Sequence, residues 1–142
     1  MKRITVLLAD DNTVLRKDFR QILEGENDLE VVGEAKNGLQ AVAMVKKLHP
    51  AVVLMDVAMP LLNGLQATRQ ILKATPATKV LMLSAHSDDA YVEEATNSGA
   101  MGYLLKQTCV DSVCAAIREV QKGNTFFSPS IPRRLRKWNR DK

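Results

Sequence analysis

The sequence predicts a doubly wound α/β fold built on a five-stranded parallel sheet. Three observations carry this. Apolar runs of strand length alternate five times with segments of helical periodicity. The runs are continuously apolar, as strands covered by helices on both faces are. Polar groups follow the ends of four of them: Asp10-Asp11 after Ile4-Thr5-Val6-Leu7-Leu8-Ala9, Asp56 after Ala51-Val52-Val53-Leu54-Met55, Ser84 after Val80-Leu81-Met82-Leu83, and Lys106 after Tyr103-Leu104-Leu105. In one parallel sheet all four converge at the carboxyl edge, where open α/β folds bind ligands.

The elements follow in order. After the first strand, Leu15, Phe19, Ile22 and Leu23 form a helical stripe, with Asn12 or Thr13 as N-cap. A second strand over 30–35 leads through Asn37-Gly38 into a helix over 39–48. That helix stops at His49-Pro50, because proline disfavours helix in the residue before it; His49 reads as a C-terminal residue interacting with the dipole. The third strand ends at Asp56, and a helix from about Asn63 to Lys73 stops before Pro76. The fourth strand covers 79–84. A helix begins at Asp88, whose charge and that of Asp89 suit a helix N-terminus, and Ser98-Gly99 closes it. A short strand over 102–105 precedes a last helix marked by Val110, Val113, Cys114 and Ile117 and ended by Gly123. Five β/α units with right-handed crossovers are too few for an eight-fold barrel and imply the flavodoxin-like order 2-1-3-4-5.

The chain has 142 residues, enough for one domain with a core needing neither disulfide nor structural metal. Cys109 and Cys114, on one helix, would be separated by roughly 7.5 Å along its axis, too far for an easy bond, so two buried thiols are expected. The apolar runs fall short of the ~20 residues of a membrane span, and no signal-peptide core opens the chain, so a cytoplasmic location is expected. The formal charge of +4 divides into −1 for residues 1–127 and +5 for 128–142. The expected organisation is therefore a near-neutral domain over 1–127 and a basic tail or linker over 128–142. The pI of 9.2 describes that tail and does not argue for nucleic-acid binding by the fold.

Asp10, Asp11 and Asp56, brought to one edge, would repel each other and raise one another's pKa values. Taken singly, Asp10 or Asp11 reads equally as a helix cap; together with Asp56 they suit a divalent cation. Mg²⁺ (or Mn²⁺) fits an oxygen-only ligand set, completed by waters and a phosphate oxygen, whereas zinc would prefer thiolate or imidazole. A carboxylate can also act as nucleophile and carry a phosphoryl group, and Asp56, on the central strand, is the candidate. Phosphoryl transfer depends on positioning and charge neutralisation, which Mg²⁺ and the Lys106 ammonium would supply; the Ser84 hydroxyl would donate to another oxygen.

These residues, with Met59-Pro60 and Gly64 behind Asp56, Ala85 behind Ser84, and Tyr103-Leu104-Leu105-Lys106 in one register, resemble the receiver domain of a two-component response regulator over residues 4–123. The resemblance implies that Asp56 accepts a phosphoryl group from a phosphohistidine of a sensor histidine kinase or phosphotransfer protein. It implies Mg²⁺ held by Asp11, by Asp10 largely through water, by Asp56, and by the backbone carbonyl of Ala58. It implies that Ser84 moves toward the phosphoryl group and Tyr103 turns inward, a switch rather than an enzyme of metabolism. Homodimerisation on phosphorylation follows in the same family. Ala58 and His86 occupy the two positions that tune phosphoryl lifetime. Gly102 to Lys106, with Gly123-Asn124-Thr125-Phe126-Phe127-Ser128-Pro129, is most similar to the NarL/FixJ subfamily, whose receivers precede a LuxR-type helix-turn-helix. A DNA-binding regulator of transcription is thus expected, with DNA contacted only by a domain beyond residue 142, since fifteen residues cannot form that motif. The alternative within the class is a stand-alone receiver acting through protein contacts.

The chain departs from the receiver pattern at Gln107, where many receivers have a cis proline. A trans bond or strain is expected there, because a non-proline cis bond costs ~2.5–4 kcal/mol. In the tail, Ile131, Leu135 and Trp138 among Arg133, Arg134, Arg136, Lys137 and Arg140 suit a short amphipathic helix; a solvated linker is the favoured reading. Of other classes, a haloacid-dehalogenase-like phosphohydrolase would want a second carboxylate where Asn12 stands, and a dinucleotide binder would want a glycine-rich first loop. No membrane contact is expected.

Overall fold

The computed structural model describes residues 2–136. Its strands are β1 (Ile4–Ala9), β2 (Leu29–Ala35), β3 (Val52–Asp56), β4 (Lys79–Ser84), β5 (Gly102–Leu105) and β6 (Phe126–Phe127). The helices are α1 (Thr13–Glu24), α2 (Gly38–Leu48), α3 (Gly64–Ala74), α4 (Asp89–Asn97) and α5 (Val113–Gln121). The sheet is parallel throughout, in the order β2-β1-β3-β4-β5-β6. The expected order 2-1-3-4-5 is present, but the sheet has six strands rather than five. A two-residue strand is too short to show periodicity, and it forms because Gly102 lets the chain come close. A Cβ on Gly102 would lie 2.2 Å from the Phe126 carbonyl oxygen.

Alternate residues of each strand feed two cores. Leu7, Val53, Met55, Val80, Met82 and Tyr103 pack with α2, α3 and α4; Val6, Leu8, Leu54, Leu81, Leu83 and Leu104 pack with α1 and α5. Each fully buried aliphatic side chain contributes about 1.5–3 kcal/mol, and two such layers hold the strand ends rigid. Asn12, Asn37 and Asn63 cap α1, α2 and α3, each side chain accepting an amide hydrogen from the third helical residue. At Asn63 the Gln66 side chain returns the bond, a capping box.

Several local expectations shift. His49 closes α2 in the left-handed conformation, φ 47°, its N–H donating to the Val45 carbonyl. Helix α5 begins at Val113, so exposed Val110 and buried Cys109 lie in the turn before it. The two cysteines are free and do not share a helix; Cys109 is buried and Cys114 only half-buried. Burial pushes the Cys109 thiol up to about 11, which leaves it unreactive at neutral pH. All described peptide bonds are trans, including that between Lys106 and Gln107.

The segment 128–136 is not a solvated linker. Ser128 Oγ accepts a hydrogen bond from the Leu105 amide at 2.9 Å, and Ile131 and Leu135 are buried in the core beneath α4. Arg136 donates to the carbonyls of Ile131, Ser128 and Pro129, and Arg134 pairs with Asp89 at the start of α4. In place of an amphipathic helix this segment has one 3₁₀ turn, Arg133–Leu135. Lys137, Trp138 and Arg140 lie outside the described residues.

Candidate functional site

The carboxyl ends of β1, β3, β4 and β5 bring Asp10, Asp56, Ser84 and Lys106 to one edge, with Asp11 next to Asp10. Asp56 is 2 % exposed at the end of a fully buried strand. Behind it the chain turns sharply into α3. The Gly64 amide donates to the Val57 carbonyl at 2.8 Å, and a Cβ on Gly64 would lie 2.1 Å from the Asp56 carbonyl oxygen. Gly64→Ala must therefore displace the backbone of Asp56 itself. The expected outcome is a loss of about 1–3 kcal/mol in urea unfolding and weakened Mg²⁺ stabilisation; wild-type values for both would contradict the assigned close approach.

Asp10, Asp11 and Asp56 each place one carboxylate oxygen within 4.8 Å of the others. The Lys106 ammonium bridges two of them, 3.3 Å from Asp10 Oδ2 and 3.2 Å from Asp56 Oδ1. Burial opposes the charge on Lys106, but the Asp56 and Asp10 carboxylates outweigh it and hold its pKa above the ordinary value. The Ala58 amide donates to Asp56 Oδ1 at 3.3 Å and the Asn12 amide to Asp10 Oδ1 at 2.9 Å. Asp10 Oδ2, though close to Lys106, receives no well-directed hydrogen bond. A buried carboxylate oxygen left this way, in an oxygen-only cluster, fits a hard divalent cation.

Burial, reinforced by the Asp10 charge, raises the Asp56 carboxyl to about 7, against the opposing pull of Lys106 and the Ala58 amide. A raised folded-state pKa means the folded protein binds the proton more tightly than the unfolded one. The associated stability is present in full below the unfolded pKa of 3.8 and is lost as pH rises to about 7. Asp28 and Glu34, whose pKa values are lowered, act in the opposite sense and at lower pH. In chelator, stability is thus expected to decline between pH 5 and pH 8, and Mg²⁺ to flatten that decline by favouring ionised Asp56. Urea unfolding at the two pH values, with and without Mg²⁺, checks this; a rise in stability over that interval in chelator would contradict it.

On the other side of Asp56, Ser84 is buried and its Oγ accepts a hydrogen bond from the His86 amide at 3.0 Å. Tyr103 is wholly buried, its hydroxyl donating to the His86 carbonyl at 2.5 Å, so the phenol faces inward beneath the loop after β4. Burial raises the phenol pKa, partly offset by a hydrogen bond with Ser84. His86 is exposed and stacks on Tyr91 with ring centroids 4.7 Å apart. The Gln107 side chain donates to the Ala85 carbonyl, tying the last site loop to the loop that follows Ser84. The Ala58 and Asn12 amides were not legible in the sequence, because main-chain groups carry no residue signature, and this tie was not because its acceptor is a carbonyl 22 residues away. Arg16 is a further omission: buried on α1, it donates to the Asp10 carbonyl.

Residues 6–118 match the family described as the response regulator receiver domain. The chain is 38 % identical over 133 residues to the transcriptional regulatory protein DegU of Brevibacillus brevis, covering 94 % of this chain and 56 % of that protein. It is 36 % identical over 133 residues to the response regulator protein VraR of Staphylococcus aureus, covering 94 % and 64 %. Thus the chain spans somewhat more than half the length of these relatives. Among solved structures, the signal receiver domain of the putative response regulator NarL from Mycobacterium tuberculosis superposes with a TM-score of 0.84 at 31 % identity, over 87 % of this chain and all of that one. A LuxR-family two-component response regulator from Aurantimonas sp. SI85-9A1 gives 0.87 at 28 % identity, over 92 % of this chain and 93 % of the other.

Proposed function

The chain belongs to the response regulator receiver domain family, and from that premise we propose that it is a phosphorylation-controlled switch whose acceptor is Asp56. One observation carries the reading: a buried carboxylate ends the central strand with an ammonium at 3.2 Å and two further carboxylates beside it. An oxygen of ionised Asp56 attacks the phosphorus of a phosphohistidine; the new P–O bond forms as the P–N bond breaks, and the imidazole leaves. The product is an acyl phosphate, which water returns to carboxylate and inorganic phosphate. Asp10, Asp11 and Asp56, with the Ala58 carbonyl, would hold Mg²⁺ or Mn²⁺, which supplies charge neutralisation for the phosphoryl oxygens. Lys106 releases from its carboxylate pairings toward the incoming phosphoryl group and keeps Asp56 partly ionised beforehand.

Ser84 and Tyr103 form the responsive side of the site. A phosphoryl group adds roughly −1.5 to −2 charges and three strong acceptors; one of them accepts the Ser84 hydroxyl hydrogen, and turning the side chain toward it competes with the bond that Oγ accepts from the His86 amide. Through His86, which both Ser84 and Tyr103 contact, that competition reaches the start of α4 and the docked segment 128–136. Ala58 and His86, beside the acceptor, are proposed to set the lifetime of the acyl phosphate. Val14, Leu61 and Val110, exposed on segments after β1, β3 and β5, supply an apolar rim for the phosphodonor protein.

Among the described residues no helix is long and apolar enough to cross a membrane. The relatives named as transcriptional and LuxR-family regulators support regulation of transcription through a DNA-binding part outside these 142 residues, and a cytoplasmic place and pairing on phosphorylation are proposed with it. Incubation with acetyl phosphate and Mg²⁺ is expected to add one phosphoryl group per chain by intact mass, and chelation to prevent it. Continuous turnover of a phosphomonoester would instead favour a phosphohydrolase. Asn12, spent on capping α1, and the absence of a carboxylate at Ala58 argue against that chemistry.

A further inference from the structure

Arg16 occupies a core position of α1, in the buried row with Phe19 and Leu23, and is only 7 % exposed. Buried arginine is uncommon, and an apolar side chain of similar volume is often as stable in such a place. Packing alone therefore does not call for it. Its bonds are specific: Nη1 donates to the Asp10 carbonyl at 2.6 Å, and Nε donates to Glu34 Oε1 at 3.0 Å. Glu34 is held in turn by Arg20 Nη1 at 2.7 Å. Asp10 is thus fixed through its main chain from both sides, since its amide donates to the Ala35 carbonyl of β2 at 3.0 Å.

The Asp10 carbonyl and the Asp11 amide share one planar peptide, so a bond to that oxygen fixes the start of Asp11. Asp11 is exposed, and among the described residues no ion pair holds its carboxylate as Lys106 holds Asp10. We propose that Arg16, braced by Glu34, is a positioning residue: by gripping the Asp10 carbonyl it sets the Asp10–Asp11 peptide and presents the Asp11 carboxylate to a divalent cation. This rests on the preceding reading that the acidic cluster holds Mg²⁺. Outer-shell partners of this kind change metal affinity by roughly 10–100-fold when removed.

The test is calorimetric titration of the full 142-residue chain with Mg²⁺ alone, with ¹⁵N spectra of the metal-free protein. Arg16→Met is expected to weaken Mg²⁺ binding by about tenfold or more and to move the Asp11 and Asn12 amide signals before any metal is added. At saturating Mg²⁺ its labelling rate by acetyl phosphate should return to within about twofold of wild type, because Arg16 touches no reacting atom. Arg16→Lys, which keeps the charge but cannot hold both partners in the same fork, should show a smaller loss of several-fold and decides the matter if the Met variant does not fold. Arg20→Met, at the far side of Glu34, should leave Mg²⁺ affinity within about twofold. Wild-type affinity in both Arg16 variants, or an equal loss in Arg20→Met, would overturn the positioning role while leaving the switch intact. Failure of the wild-type chain to bind Mg²⁺ would overturn both.

Discussion

Asp56→Asn is expected to abolish phosphoryl incorporation from acetyl phosphate, with no residual mass shift at any Mg²⁺ concentration. The amide is a poor nucleophile, and no other carboxylate in the cluster ends a central strand with an ammonium 3.2 Å away. Asp10 stands past the end of β1 and Asp11 is exposed, so neither occupies the buried strand-end position of Asp56. The same substitution has a second consequence. It removes a buried charge whose ionisation burial and Asp10 oppose, so the metal-free variant should be more stable than wild type by on the order of 2 kcal/mol at pH 8. At pH 5 the wild-type carboxyl is largely protonated and the gap should shrink. Full labelling of Asp56→Asn would sink the acceptor assignment; an unchanged gap at the two pH values would sink only the account of its electrostatics.

Lys106→Met should act oppositely on stability. Its ammonium is the counter-charge 3.3 Å from Asp10 Oδ2 and 3.2 Å from Asp56 Oδ1, and the methionine chain fills similar space without charge. Removing one partner of a buried pair costs ~3–5 kcal/mol; because the lysine is 24 % exposed, a loss of roughly 1–3 kcal/mol in chelator is expected. Mg²⁺ replaces the missing positive charge, so it should stabilise this variant by more than it stabilises wild type. Phosphoryl labelling should slow by about tenfold or more at saturating Mg²⁺, since a positive group facing the transferred oxygens is gone. Equal stability of variant and wild type in chelator would show that the ammonium does not offset the carboxylates.

The fold was legible because its signals are redundant. Continuous apolar runs, an N-cap at Asn12, helix starts at Asn37-Gly38 and Asn63, and stops at Pro50 and Gly123 all agree with one β/α alternation. What escaped was short or long-range. Phe126–Phe127 is a strand only because Gly102 admits its backbone. Arg16 breaks the apolar stripe of α1, yet its row faces the core and the Asp10 carbonyl lies within reach. Ile131 and Leu135 read as tail residues, and only the space beneath α4 makes them core.

The sequence by itself determined that polar groups of the right kinds stand after four buried strands, because a parallel sheet necessarily carries strand ends to one edge. That is why Asp56 with Asp10, Asp11, Ser84 and Lys106 is legible as one group from the chain alone. The tertiary structure decided their electrostatic state: how deeply Asp56 is buried, which carboxylate oxygens share Lys106, and which oxygen lacks a directed donor. It also decided that Tyr103 faces inward and that 128–136 lies against α4. These quantities depend on distance and desolvation among groups far apart in the chain, and neither residue type nor periodicity encodes them.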